Sequence, residues 1–350
     1  MPWTRGSSAA VAEPARVAEP HRVLSPEVVL EVDDLHVDFR TDRGVIRAVD
    51  GLSYALHRGE VLSVVGESGS GKTVHARALL QILDVPPAEI TAGRAMMGDL
   101  DLLSLDEHEM QQVRGERISM LFQDPHTALD PVFSVGDQLV ELLRIRRSMS
   151  RRDARSEAAE LLNKVGIGDA KARLDSYPHQ LSGGIAQRVM VALAIALEPV
   201  VLIADEPTSS LDVTVQAQVL DLLQGLVSDM NMAMVLITHN LAVAVGMADR
   251  IAVMYAGKLL ELGPARAVFE DPGHPYTAAL LRSIPSLEDK PIRLPVIKGT
   301  PPSLLRRPAG CVFHPRCPHV QQKCIDAVPP LVEYEPDRWS ACIRIDEIDP

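Results

Sequence analysis

The segment GESGSGKT, Gly66 to Thr73, puts glycines, a lysine and a hydroxyl residue at the spacing G-x-x-x-x-G-K-[ST]. It follows an apolar run, Val61 to Val65, that reads as a strand, and it opens a segment that reads as a helix. In that setting the amides from Ser68 through Gly69, Ser70 and Gly71 to Lys72 can wrap a β-phosphate, with Gly66 turning the chain into the loop. Lys72 would reach the β- and γ-phosphates, and Thr73 would ligate Mg²⁺. VVLIADEP ends an apolar strand on two acids. Asp205 there would complete the Mg²⁺ shell, and Glu206 would polarise an attacking water. LITHN adds His239 at another strand end, where it could sense the γ-phosphate, and MLFQDP adds Gln123 before a turn. The chemistry expected is attack of water on the γ-phosphate of a Mg²⁺-bound nucleotide.

A second glycine pair, Gly183 and Gly184, follows Ser182 in QLSGGIAQRVMVALAIALEP, at the mouth of an apolar run that reads as a helix. Glycine inside a helix costs about 1 kcal/mol relative to alanine. The pair is cheap to keep only if something approaches the backbone closely, and an anion at the helix N-terminus is one candidate. Ser182 as an N-cap is the local structural reading.

These residues need a scaffold, and its elements are legible. Val28 to Phe39 alternates apolar and polar residues, and Arg47 to Leu56 reads as a second strand broken by Gly51. From about Leu105 to Pro199 the pattern is helical, with Ala158, Leu161, Leu162 and Val165 at helical spacing. Strand, helix, strand, helix and a hairpin-like pair follow, from Val200 to Gly263. Alternating strands and helices predict an α/β fold with a mostly parallel sheet. Beyond Pro264 the chain is proline-rich and its periodicity fades. The first 27 residues, rich in Ala, Pro, Glu and Arg, read as a disordered tail without an apolar signal region.

Composition narrows the function. The chain has 350 residues, 46% of them hydrophobic, enough for a full core. No apolar run nears the roughly 18 to 20 residues that span a bilayer. A net charge of −12 and 3% aromatic residues argue against a nucleic-acid binder.

In order, the phosphate loop, LSGGIAQ, the acidic strand end running into DEPTSSLD, and the THN histidine resemble the nucleotide-binding domain of an ABC ATPase over about Val28 to Gly263. The resemblance implies an ABC-type P-loop NTPase: RecA-like core, antiparallel β subdomain and helical subdomain (about 105–199), all within 28–264. It also implies that two cassettes pair head-to-tail, with Ser182, Gly183, Gly184 and Gln187 serving the nucleotide held by the partner. Phe39 would stack on adenine, although a strand Phe packed in the core is the alternative. Asp212 would link the two sites, and Gln123 would contact Mg²⁺ and the water. Two departures are Asn240, where the family usually has Asp, and Thr73, where the subfamily usually has Ser.

RISMLFQDPHTALDPVFSVGDQL, YPHQLSGGIAQRVMVALAIALEP, GHPYTAALLRSIP and GCVFHPRCPHVQQKC with WSAC resemble one subfamily, the ATP-binding subunits of oligopeptide, dipeptide and nickel importers. This implies a translocase at the cytoplasmic face of the membrane. Its partners would be a second ATPase subunit, two permeases and an external binding protein, with no nucleic acid. A soluble non-transport ABC ATPase and an exporter ATPase are the alternatives.

The extension 265–350 carries all four cysteines, Cys311, Cys317, Cys324 and Cys342, spaced C-x5-C-x6-C-x17-C. Structural zinc usually uses C-x2–4-C pairs, and disulfides are rare in a reducing compartment. Four thiolates from one loop-rich segment suit a [4Fe–4S] cluster, and the resembling subfamily carries one there. Zinc and metal-free thiols stay open, and His314 and His319 are expected to be bystanders. Because the two sites belong to different modules, Cys317→Ser is expected to lose the metal and loosen the tail while leaving ATP binding at the phosphate loop largely intact.

Overall fold

The computed structural model describes residues 27–283 and 297–345, and the described part opens with two long antiparallel strands, β1 (Val28–Thr41) and β2 (Gly44–His57). The expected disordered tail therefore lies outside the described residues, except for Glu27. Alternation along β1 buries Leu30 and Val32 and, beyond a register shift, Leu35 and Val37 in one apolar cluster. Gly51 does not end β2. It sits within the strand at φ 77°, a conformation glycine adopts at little cost. After β3 (Val61–Val65) and α1 (Lys72–Leu79), strands β4 (Ala88–Met97) and β5 (Leu100–Asp101) complete a four-stranded antiparallel sheet, ordered β2-β1-β4-β5.

The helical stretch expected between Leu105 and Pro199 is interrupted once. Helix α2 (Glu107–Val113) leads into β6 (Ile118–Leu121), whose four residues are all buried. Then come α3 (Pro125–Ala128), α4 (Val135–Arg147), α5 (Arg151–Lys164), α6 (Ala170–Arg173) and α7 (Gly183–Ile195). Ser134 and Ser150 cap α4 and α5, each accepting from the amide of an aspartate three residues on. Ala158, Leu161, Leu162 and Val165 are buried, as their spacing predicts.

β7 (Val201–Asp205), α8 (Val213–Met230), β8 (Ala233–Thr238), α9 (Leu241–Met247), β9 (Arg250–Tyr255) and β10 (Lys258–Pro264) close the core. Strands β9, β3, β8, β7 and β6 run parallel in that order. Every residue in them is buried, because helices or the antiparallel sheet cover both faces.

The extension is more regular than its sequence pattern. It forms α10 (Ala265–Glu270), α11 (Pro275–Arg282), α12 (Gln322–Asp326), β11 (Val332–Glu335) and β12 (Arg338–Ser340). Pro275 does not break α11. It occupies the first turn, where a missing N–H is harmless. β12 pairs antiparallel with β10, Glu261 opposite Ser340, so the extension widens the core sheet to eight strands. Phe313 is fully buried, 5.4 Å from the Tyr255 ring and 5.3 Å from Tyr276. A single apolar cluster thus unites the end of the cassette with the cysteine loop.

Phe313→Ala should remove about 3–5 kcal/mol of stability. Urea unfolding followed by circular dichroism measures it. A loss below about 1 kcal/mol would mean that the extension is not docked through this ring.

Candidate functional site

The parallel strands end level with one another, and the residues just beyond them form the site. Val65 lies opposite Thr238, and Asp205 opposite Ile237. After β3 the chain turns through the phosphate loop into α1. At Gly71, φ is 102° and a Cβ would stand 2.3 Å from the Ala48 carbonyl oxygen, so any side chain would strike the backbone of β2. Ser68 and Gly69 form the exposed tip, whereas Ser70 is buried and its hydroxyl has no partner among the described residues. Lys72 is buried and donates to the carbonyls of Gly66 at 2.7 Å and Glu67 at 3.1 Å. Burial pulls its pKa down, against the nearby charges of Glu206, Asp205 and Glu67.

Thr73 Oγ1 donates to Asp205 Oδ1 at 3.0 Å, tying the loop to the end of β7. Burial raises the Asp205 pKa, opposed by that hydrogen bond. The two oxygens suit a hard cation such as Mg²⁺. Among the described residues no set of three or more His, Cys, Asp and Glu side chains stands ready to hold a metal ion.

Glu206 follows Asp205 with φ at 46°, in the left-handed region, and its amide donates to the Ile237 carbonyl at 2.9 Å. Its carboxylate is clasped from two sides. Gln123 Nε2 donates to Oε2 at 3.1 Å, and His239 Nδ1 lies 3.2 Å from Oε1. The structure thus brings Glu206, Gln123 and His239 together from three strand ends. Asn240 has a local task, since its Oδ1 accepts from the amides of Ala242 and Val243 and caps α9. An aspartate would cap equally, but with a charge next to His239 in the chain.

The second glycine pair lies elsewhere. Helix α7 packs on α3, α5, α8 and β6, and none of the described hydrogen bonds joins it to the phosphate loop. Ser182 is at the N-cap position, exposed, yet its side chain makes no capping bond. Gly184 faces α8 so closely that a Cβ would stand 2.7 Å from Val215 Cγ1. Gln187, expected at the nucleotide, is fully buried, three and four positions beyond Gly184 and Gly183 on the same helical face, and neither of its amide atoms has a hydrogen-bond partner among the described residues. Phe39 is half-buried and packs against the core beneath the antiparallel sheet. Asp212 caps α8, accepting from Thr214 and Val215.

All four cysteines line one small cavity with His274, Phe313 and His319. None is disulfide-bonded. Cys311 N–H donates to the Cys324 carbonyl at 2.8 Å, clamping the loop shut. Burial raises the thiol pKa of Cys311 and Cys317, and that of Cys342 to about 11. His314 turns its Nδ1 to the Cys311 carbonyl.

The sequence reading missed a set of contacts from the extension to the phosphate loop. Arg316 pairs with Glu67, and Tyr276 Oη accepts from the Glu67 amide at 2.9 Å. Arg307 pairs with Asp50 on β2 at 2.6 Å, beside Lys258. No local signal could have revealed contacts across so long a sequence separation.

Among the described residues, no helix is long and apolar enough to cross a membrane. The ABC transporter family matches residues 49–209, and the family described as "Oligopeptide/dipeptide transporter, C-terminal region" matches residues 260–324. The oligopeptide transport ATP-binding protein OppD of Salmonella typhimurium is 46% identical over 91% of this chain and 94% of its own length. The dipeptide transport ATP-binding protein DppD of Bacillus subtilis is 47% identical over 85% of this chain and 88% of its own. The dimeric ATP-binding cassette MJ0796 bound to ADP and Pi is similar with a TM-score of 0.61 and 25% identity, over 68% of this chain and 99% of that one.

Gly184→Ala forces a methyl group against the stiff Val215 side chain. Overpacking costs about 1–3 kcal/mol, against about 1 kcal/mol gained by alanine in a helix. The variant should lose up to about 2 kcal/mol in urea unfolding, and adding Val215→Ala should recover part of it. A single variant more stable than the parent would mean that Gly184 is not needed for packing.

Proposed function

The chain belongs to the ABC transporter family, among the ATP-binding subunits of peptide importers, and we propose how its residues divide the work of that ATPase. The carrying observation is the clasp on Glu206 by Gln123 and His239, beside the Thr73–Asp205 pair. Lys72 releases its two carbonyls for the β- and γ-phosphates, and the loop amides with the buried Ser70 hydroxyl supply further donors. Thr73 and Asp205 hold Mg²⁺, which neutralises charge on the phosphates when bound. Glu206 accepts the proton of the attacking water. Gln123 fixes one carboxylate oxygen and His239 the other, so the second lone pair of each stays aimed at the water.

The exposed start of α7, with Ser182 free of capping duty, supports its use on the nucleotide of a partner cassette. We assign that partner as a second, different ATPase subunit. Two permeases and an external binding protein complete the importer, and the subunit sits peripherally on the membrane. Phe122, Val132 and Phe133, exposed around the Gln123 loop, support docking to a permease there. The division into a cassette at 28–264, with helices at about 105–199, and an extension at 265–350 belongs to the same reading.

For the extension we infer a [4Fe–4S] cluster held by Cys311, Cys317, Cys324 and Cys342. All four line one cavity without disulfides, which supports the donor set, although they do not stand as a ready metal-holding group and would have to close in on the cluster. Because burial raises the thiol pKa of Cys311, Cys317 and Cys342, binding must draw their thiolates out around a cation. The cluster would staple the loop that carries it.

Glu206→Gln should keep Mg-ATP binding while ATP turnover by the assembled transporter falls about 10²–10⁴-fold. Turnover at the parental rate would remove Glu206 from the role of base. Protein purified without oxygen should contain iron and acid-labile sulfide in equal amounts. One zinc per chain with no iron would end the cluster assignment.

A further inference from the structure

Glu67 is the first variable residue of the phosphate loop, and each of its polar groups is held. Its carbonyl accepts from Lys72, and its amide donates to Tyr276 Oη, on a ring fully buried in the extension. Its carboxylate accepts a forked pair from Arg316, Nη1 to Oε2 at 2.7 Å and Nη2 to Oε1 at 3.1 Å. Arg316 is a built contact and not a chance surface pair, since its side chain is 5% exposed. Its remaining donors go to Tyr255 Oη and to the carbonyls of Ile297 and Lys298, so the whole guanidinium is engaged. It also lies over the Tyr255 ring, 5.7 Å from the centroid.

The mount of Arg316 is the cysteine loop. His314–Arg316 form one 3-10 turn between Cys311 and Cys317. In it His314 N–H donates to the Cys311 carbonyl, and Cys317 N–H to the His314 carbonyl. Moving either cysteine moves the turn, and the turn carries the guanidinium.

Electrostatics gives the contact its purpose. A carboxylate beside the lysine of a phosphate loop is a liability. It repels the phosphates, and it offers Lys72 a rival anion. Arg316 neutralises it and turns its oxygens away. We propose that Arg316 is a positioning residue of the nucleotide site, through which the cysteine loop sets ATP affinity. This rests on the assignment of Gly66–Thr73 as the ATP site and deepens it. It also replaces the expectation that the extension and the phosphate loop are independent.

The test is titration of the full chain, purified without oxygen, with a fluorescent ATP analogue and Mg²⁺. Arg316→Ala should weaken binding about tenfold, the change given by about 1.4 kcal/mol. In the assembled transporter KM should rise while kcat at saturating ATP stays nearly unchanged. Adding Glu67→Gln should restore the affinity, because the unpaired carboxylate is what does the harm. Should Arg316→Ala not fold, Arg316→Lys, which keeps the charge but loses the fork, should show a smaller weakening that Glu67→Gln also relieves. Parental affinity in the arginine variant overturns the proposal. So does a double variant as weak as the single one, since Arg316 would then only pack. Lys72→Ala separates the two levels. Lost binding there beside an unaffected Arg316→Ala sinks only this proposal, whereas retained binding sinks the ATP-site assignment itself.

Discussion

The hydrogen bond from Thr73 to Asp205 joins the two halves of the site, and it exists only because β3 and β7 end at the same height. That level is set by register across β8, with Val65 opposite Thr238 and Asp205 opposite Ile237. β6 adds Leu121 opposite Ala204, which places Gln123 within reach of Glu206. A slip of one residue in a parallel strand would turn its buried side chains to the other face. Since every position of these strands is buried on both sides, the packing of the sheet and the alignment of the chemistry are one constraint.

Charge is managed at short range. The chain is acidic overall, at −12, yet the acids near the phosphate loop each have a stated partner. Asp205 accepts from Thr73, Glu206 from Gln123, and Glu67 from Arg316. On β2, Asp50 gathers His36, Arg47, Lys258 and Arg307, drawing β1, the β9–β10 hairpin and the extension onto one carboxylate. The extension reaches the cassette through this carboxylate, through Glu67, through β12 and through the Phe313 ring. It is therefore built into the cassette along a broad front.

Much of this was legible in the residues. The phosphate loop could be read because its context, buried strand before and helix after, is local. β7, β8 and the β9–β10 pair could be read because strands buried on both faces are short continuous apolar runs. The strand β4 was not, since Gly93 interrupts it and its exposed and buried residues do not alternate cleanly. α10 and α11 were hidden by prolines that serve here as helix starters, and β11 and β12 are too short to show a period. Arg316 could not be found from sequence at all, because what marks it is its partner 249 positions away.

The backbone of Glu206 is the feature whose cost is easiest to overlook. A residue with a Cβ held in the left-handed region carries roughly 1–2 kcal/mol of strain. The strain is sustained by the hydrogen bond from the Glu206 amide to the Ile237 carbonyl and by the buried strands on either side. Glycine at that position would relieve it, so selection for folding alone would drive this site away from the acid. Glutamate at this position, where glycine would fold at less cost, is a stability–activity trade-off written into one dihedral angle. The most robust version of this chain and the working version are different sequences.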